Sequence, residues 1–173
     1  MDKGLKFIWS NKILFTISLL VQISAMCFAI FIGIGKQEFA SLIELSKESA
    51  AGFSVFLIIF LFVVLFILVQ LYFGSILAFL IAKYIFKINI EFENLFKSVL
   101  ILTIFLSISV YWNLALFYNS TNLFTHLINP FILIGFISFA FLIKRMSLNN
   151  SWFKPLIFTV STAVFYFWFL TYI

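Results

Sequence analysis

The chain has 173 residues, of which 65% are hydrophobic and only 10% charged, and its formal net charge is +5. A soluble domain averages about 45–50% apolar and about 25% charged residues, so this composition excludes a water-soluble globular protein and predicts one helical domain, residues 1–173, that exposes apolar surface to a lipid bilayer. No basic cluster lies away from the ends of the apolar segments, so we expect the cations to contact anionic lipid and not nucleic acid.

The first predicted membrane span covers residues 13–35 and follows a short basic segment with Lys3, Lys6 and Lys12. The apolar core of a cleaved signal peptide is usually about 7–15 residues long, whereas this run has 23 residues. We therefore predict a retained span. The single cysteine, Cys27, lies within it, which excludes a disulfide inside the chain.

A more polar segment, residues 36–50, separates the first two spans. Its apolar residues recur at helical spacing, and Glu44 and Glu48 stand one helical turn apart. This pattern is typical of a short helix that lies on the membrane surface. A solvated loop accounts for the composition equally well, so both alternatives remain open for this segment.

The second predicted span, residues 52–82, lies within an uncharged run of 34 residues from Ser49 to Ala82. As one helix this run would be about 51 Å long, against a hydrocarbon core of about 30 Å. The helix must therefore tilt and project from the bilayer, or break, and Gly74 with Ser75 is the natural break point. We predict one long span whose last turns, at residues 81–86, emerge on the charged side.

A charged connection follows the second span and leads to the third, residues 98–118. The connection decides the direction of every later span, because cations are enriched in cytoplasmic loops. Its three cations and two carboxylates are Lys83, Lys87, Glu91, Glu93 and Lys97.

The last two predicted spans are residues 127–143 and 156–173. In the first of them, Asn129 is placed to cap the helix amino terminus and Pro130 to occupy the first helical position, where the missing N–H costs little. This span is short, and two cations follow it directly. We expect their aliphatic stems to extend along the helix toward the membrane surface.

The distribution of cations predicts the orientation of the chain. The amino terminus and residues 83–97 and 144–154 together hold nine Lys and Arg residues, whereas residues 36–48 and 119–126 and the carboxyl end hold two. Because cations are concentrated on the cytoplasmic side, we predict an all-α integral membrane protein with five transmembrane helices, its amino terminus inside the cell and its carboxyl terminus outside.

The sequence contains no pattern that indicates an enzyme. None of the acidic residues falls within a predicted span, and Gly74 with Ser75 does not form a Gly-x-Ser-x-Gly elbow. The single histidine, His126, excludes a His-Glu-x-x-His zinc motif, and we expect it to be solvated or interfacial in an outer turn. We therefore predict no catalytic residue, no metal site and no cofactor.

Uncharged polar side chains lie within three of the predicted spans: Gln22 in the first, Gln70 in the second and Asn113 in the third. One interpretation is a polar seam that lines a transport path or contacts a partner helix. The other is hydrogen bonding between helices of one bundle, which contributes about 0.6 kcal/mol per pair on average. We favour the second interpretation.

The order of features resembles the Yip-domain family of membrane proteins. Residues 83–97 resemble that family's connection between the second and third spans, where a basic span end is followed by a short turn, a polar residue, a phenylalanine and an apolar helix. Residues 134–154 are similar to its fourth span and the Ser-x-x-Lys turn beyond it. The resemblance implies five spans with a cytoplasmic amino terminus. For a bacterial member it implies an accessory role beside an ABC-type exporter or in protection against peptide toxins.

We predict a non-catalytic membrane protein that acts as an accessory or scaffold for other membrane proteins, as a heteromeric partner or a homo-oligomer. Ten lysines to one arginine and abundant Phe, Ile and Asn indicate an AT-rich bacterial genome, and hence the bacterial cytoplasmic membrane. Two alternatives remain open. The first is a small transporter or channel that uses the polar seam, and the second is an immunity protein against a membrane-active peptide.

Overall fold

The computed structural model describes residues 2–35, 38, 40–41, 43–44, 50–117, 123–148 and 151–170, and every regular element in these ranges is a helix. The elements are α1 (Asp2–Ile34), α2 (Ala50–Leu80) with a π-helical turn (Ile81–Ile85) at its end, α3 (Phe92–Phe117), the short α4 (Leu123–Leu127), α5 (Pro130–Met146) and α6 (Phe153–Leu170). The prediction of an all-helical fold is confirmed for this part of the chain.

Four segments of the described chain are long and apolar enough to cross a membrane: Lys12–Gly33, Gly52–Ile85, Phe92–Phe117 and Phe153–Leu170. The predicted span at residues 127–143 corresponds to α5, which has 17 residues. At about 1.5 Å per residue, α5 is about 26 Å long, slightly less than the hydrocarbon core of about 30 Å.

Helix α3 begins at Phe92, well before the predicted start at residue 98. The carboxylate of Glu93 lies in its first turn, where the helix dipole favours a negative charge, and Lys97 follows one turn later beside Glu93. These two charged residues therefore belong to the helix and not to the connection. Buried Leu95 shows that this first part of α3 packs against the bundle.

Helix α2 continues through Gly74 and Ser75 without a break. The irregularity lies at its end, in the π-helical turn, where the amide of Phe86 donates to the carbonyl of Ile81 at 3.2 Å. Lys87 then adopts a left-handed backbone conformation with φ of 52°. These two features turn the chain sharply into the connection.

Helix α3 is central and packs against its neighbours on two faces. On one face, Leu100 contacts Ile67 and Leu71 of α2, and partly buried residues of α1 pack around these three. On the other face, Leu95 and Leu102 belong to a larger cluster with residues of α5, α6 and the connection, among them Ile132, Phe139, Ile143, Phe158, Ile88 and Ile90.

The contact between α3 and α5 depends on Gly135. A methyl group added at Gly135 would come within 2.9 Å of the Phe105 Cβ atom, closer than such atoms normally approach. The missing side chain thus lets the two helices approach closely, as small residues do at membrane helix contacts. The carboxyl end of α5 is fixed as well, because the Leu148 amide donates to the Asn89 carbonyl at 3.0 Å.

Two predictions concern residues outside the described ranges. Most of the segment between α1 and α2 is not described, although residues 38, 40–41 and 43–44 are helical. The expected polar turn at residues 119–125 is described only from residue 123, where α4 begins.

Candidate functional site

Two groups of polar side chains lie between the helices of the described bundle. The first group connects α3, α4 and the start of α5 through Asn113, His126 and Asn129, and is called here the amide relay. The second group lines an open cavity between α1, α2, α3 and α6 and includes Gln22 and Gln70. The structure therefore brings two of the three residues of the predicted seam together and places Asn113 elsewhere.

Asn129 is the centre of the amide relay and is fully buried. As predicted, it caps α5: its side-chain oxygen accepts a hydrogen bond from the Phe131 amide at 2.9 Å, and Pro130 occupies the first turn. Its side-chain nitrogen donates to the Ser109 carbonyl at 3.2 Å and to Oδ1 of Asn113 at 2.8 Å. One amide thus satisfies an unpaired helix N–H and ties α5 to α3.

The amide relay lies beside the last two turns of α3, before the carboxyl end of that helix. Ser109 and Asn113 come one to two turns before the helix ends at Phe117, so α5 begins beside α3 and not beyond it. A helix amino terminus in such a position has little access to water, and unpaired N–H groups there are costly. Asn129 is therefore required for local structure as well as for the contact between helices.

The backbone fixes the direction of every hydrogen bond in the amide relay. The Phe131 amide can only donate and the Ser109 carbonyl can only accept, so the oxygen and nitrogen of the Asn129 side chain cannot exchange places. Asn113 must then accept from Asn129 with its oxygen and donate with its nitrogen, which lies 2.8 Å from Nδ1 of His126. His126 Nδ1 is therefore an acceptor and carries no proton.

His126, which the sequence predicts to be solvated or interfacial, is half-buried and hydrogen-bonded. Burial lowers the pKa of His126 below its ordinary value, because a charged imidazolium is poorly solvated there. The low pKa agrees with the neutral tautomer that the amide relay requires. The sequence carried no signal for this contact, since short helix α4 and the return of α5 beside α3 are tertiary features.

The second group lines a cavity of about 300 Å³ that is open on one side. Its polar residues come from four helices: Gln22, Gln70, Thr103, Ser107 and Tyr166. Its apolar lining includes two small residues of α1, Ala25 and Ala29. We call this cavity the polar notch. Among the described residues that line it, Tyr166 is the only ionisable one, so this lining offers hydrogen bonds without charge.

Some polar side chains of the notch have hydrogen-bond partners in the bundle, and others have none among the described residues. The Gln22 amide donates to Ser18 at 3.0 Å, and Ser18 in turn lies 3.0 Å from the Thr103 hydroxyl of α3. Gln70 and Ser107, however, have no hydrogen-bond partner among the described residues. Two hydrogen-bonding groups are thus left available at the notch.

The predicted connection is a compact, well-fixed turn. Lys83 lies in the π-helical turn with its ammonium group near the rings of Phe79 and Tyr84, at 5.4 Å and 5.8 Å from the ring centres. The Lys87 carbonyl accepts a hydrogen bond from the Lys154 ammonium at 3.4 Å. Glu91 is exposed and accepts from the Asn94 side chain. The connection therefore packs beside the start of α6.

The described fold is that of an all-helical chain with four helices of membrane length and uncharged polar groups between them. Within the described ranges, no three His, Cys, Asp or Glu side chains come together as a potential metal site. Searches against family models, curated proteins and solved structures found no match to the chain.

Proposed function

We propose that this protein is a non-catalytic accessory protein of the bacterial cytoplasmic membrane, and that it binds another membrane protein through α2. Much of that helix lies outside the bundle, which leaves room for a partner. In an 18-residue apolar window of the α2 span, 6% of the residues are buried in the bundle, against 28% in such a window of α3. Between residues 52 and 66, none of the described side chains is buried. Half of α2 therefore has its surface available for contact with a partner.

The single observation that carries the proposal is Gln70. Lipid tails satisfy exposed apolar side chains, so exposure of phenylalanine and leucine along α2 needs no partner. A glutamine amide is different, because hydrocarbon offers it no hydrogen bond and leaving a polar group unpaired is costly. Gln70 is exposed near the middle of the 34-residue span and has no partner among the described residues. A partner helix would supply one.

The proposal includes five membrane crossings, with α5 as a short fourth crossing and the amino terminus inside. The bond between Leu148 and Asn89 supports this topology, because it joins the end of α5 to the connection between α2 and α3. Helices α3 and α5 then run between the same two ends of the bundle. The cations that follow each end, at residues 83–97 and 144–154, lie on one side as the positive-inside bias requires.

Site-specific photocrosslinking in native membranes tests the proposal. A photoreactive residue replaces Phe62 of α2 and, as a matched control, Val164 of α6, because both are strongly exposed in the bundle. We expect Phe62 and not Val164 to give a discrete protein adduct that also co-purifies in mild detergent at fixed stoichiometry. Equal labelling at both positions, or adducts with lipid alone, would contradict the proposal.

The polar notch also favours a second candidate, a small transporter or channel, because it gathers Gln22 and Gln70 in one cavity. Asn113 is occupied in the amide relay and does not extend the notch toward the other end of the bundle. Solute flux into liposomes that contain this protein alone would support the transporter and contradict a purely accessory role.

A further inference from the structure

Measured along the helix axes, the polar notch lies about halfway between the two ends of the bundle. Gln22, Gln70 and Ser107 are each near the midpoint of their segments, which are Lys12–Gly33, Gly52–Ile85 and Phe92–Phe117. In a bilayer this position is the hydrocarbon centre, where neither water nor lipid headgroups are present to satisfy polar atoms. Whatever binds the free groups of the notch must therefore itself be embedded in the membrane.

Ser107 presents to the notch a hydroxyl without a hydrogen-bond partner in the described part of the chain. Its side chain is only 8% exposed, lines the notch and has no hydrogen-bond partner among the described residues. Serine in a helix often bonds back to a backbone carbonyl of the preceding turn, as Ser109 does to the Leu106 carbonyl at 2.6 Å. The Ser107 hydroxyl does not do so and remains available in the cavity that Gln70 also lines.

The shape of the notch favours a helix over a small molecule. Small-molecule sites usually enclose about 70–90% of their ligand, whereas the notch is open on one side. Ala25 and Ala29 stand one turn apart along its α1 wall, a spacing of small residues that permits close approach of another helix. Beyond the notch, the unburied half of α2 provides further contact along the length of such a helix.

We infer that the polar notch receives a transmembrane helix of a partner protein that presents an uncharged hydrogen-bonding side chain, such as Asn, at mid-membrane depth. Gln70 and Ser107 bind that side chain. The amide of Gln70 and the hydroxyl of Ser107 can each donate and accept a hydrogen bond. A charged side chain is excluded from this role, because the lining offers no counter-charge. The inference deepens the proposed function and rests on it for the existence of a natural partner.

A pair of synthetic helices tests the inference. One is a leucine-alanine transmembrane peptide with a single central Asn, and the other has Leu at that position. The full-length protein, fused to a fluorescent donor, is reconstituted in phosphatidylcholine vesicles with acceptor-labelled peptide, and binding is measured by energy transfer. We expect the Asn peptide to bind several-fold more tightly, because each hydrogen bond between membrane helices contributes about a threefold gain in affinity.

Three variants locate the effect. Gln70→Leu and Ser107→Ala each remove one free group of the notch, so each should reduce the preference for the Asn peptide by about threefold. Ser161→Ala is the matched control, because Ser161 is an exposed serine on α6 away from the notch. Equal binding of both peptides to the unmodified protein would overturn the inference. An Asn preference that persists in both Gln70→Leu and Ser107→Ala would also overturn it.

Two experimental outcomes distinguish a failure of the inferred notch site from a failure of the proposed accessory function. If a native partner crosslinks to α2 but binds Gln70→Leu and Ser107→Ala as tightly as the unmodified protein, the function stands and the notch is not its site. If the Asn peptide shows the expected preference but no native protein crosslinks to α2, the notch stands and the accessory role fails.

Discussion

Asn113 donates a hydrogen bond to Nδ1 of His126 over 2.8 Å, and the direction of this bond is set by the backbone at the start of α5. The Phe131 amide orients Asn129, and Asn129 orients Asn113. The protonation state of a histidine in a short helix is thus tied to the cap of another helix.

Acidification should destabilise the protein through His126. Burial lowers the pKa of His126 in the folded state, so the unfolded chain, with a histidine pKa of about 6.5, binds the proton more readily. The His126 contribution to stability is therefore complete above about pH 6.5 and is lost as the pH falls below it toward the folded pKa. We expect the thermal midpoint in detergent to fall over this range.

The variant His126→Gln provides the control for that experiment. Glutamine can still accept a hydrogen bond from Asn113 but does not titrate. We expect its thermal midpoint to be nearly independent of pH between 5 and 7. An unchanged pH dependence in His126→Gln would assign the effect to other groups.

Removal of the α5 cap should be costly. Asn129→Ala deletes the acceptor for the Phe131 amide and leaves the Asn113 oxygen without its donor. We expect a loss of about 1–3 kcal/mol in the free energy of unfolding, measured in mixed detergent and SDS micelles, because buried polar groups lose their partners. Asn129→Ser retains an oxygen suited to capping and should recover part of the loss. Equal losses in both variants would contradict the capping role.

The close approach of α3 and α5 should not tolerate a side chain at Gly135. Gly135→Ala places a methyl group 2.9 Å from the Phe105 Cβ atom, and we expect it to destabilise the protein by about 1–3 kcal/mol, as overpacking usually does. Gly74→Ala is the matched control, because a methyl group at that helical position meets nothing within 4 Å. It should be neutral or stabilising by up to about 1 kcal/mol. Similar destabilisation by both substitutions would be inconsistent with a tight helix contact.

The proposed topology predicts the location of the carboxyl terminus. With α5 as a crossing, a reporter fused after Ile173 lies outside the cell, and one inserted at residues 149–150 lies inside. Without that crossing, the reporter after Ile173 lies inside. Paired alkaline phosphatase and green fluorescent protein fusions distinguish the two arrangements, since each is active on only one side. Phosphatase activity at residues 149–150 would contradict the five-span topology.

The sequence was sufficient to predict the helical fold and the cap of α5. An Asn-Pro pair indicates the start of a helix from the local sequence alone. The structure confirms that Asn129 caps α5 and that Pro130 lies in its first turn. The start of α3 was predicted too late, because charged Glu93 and Lys97 were assigned to a loop. Charged residues occur readily in the first turns of a membrane helix, where they reach the interface and interact with the helix dipole.

The arrangement of the polar side chains could not be predicted in the same way. Ser107 and Asn113 are six residues apart on α3, which places them about 120° apart around the helix axis at about 100° per residue. Ser107 therefore lines the notch beside α1 and α2, whereas Asn113 contacts the start of α5. Tertiary packing decides which helix contacts each face of α3. That arrangement cannot be predicted from any single side chain.

The different lengths of α5 and the α2 span have a consequence for the surrounding bilayer. Both helices pack against α3, yet one has 17 residues and the other 34. In the proposed five-span arrangement, lipid beside the short helix must thin, and lipid beside the long one must thicken unless that helix leans strongly. A protein so arranged imposes a gradient of hydrophobic thickness around its perimeter. A neighbour with a similar mismatch would relieve that elastic strain by assembling on the matching flank.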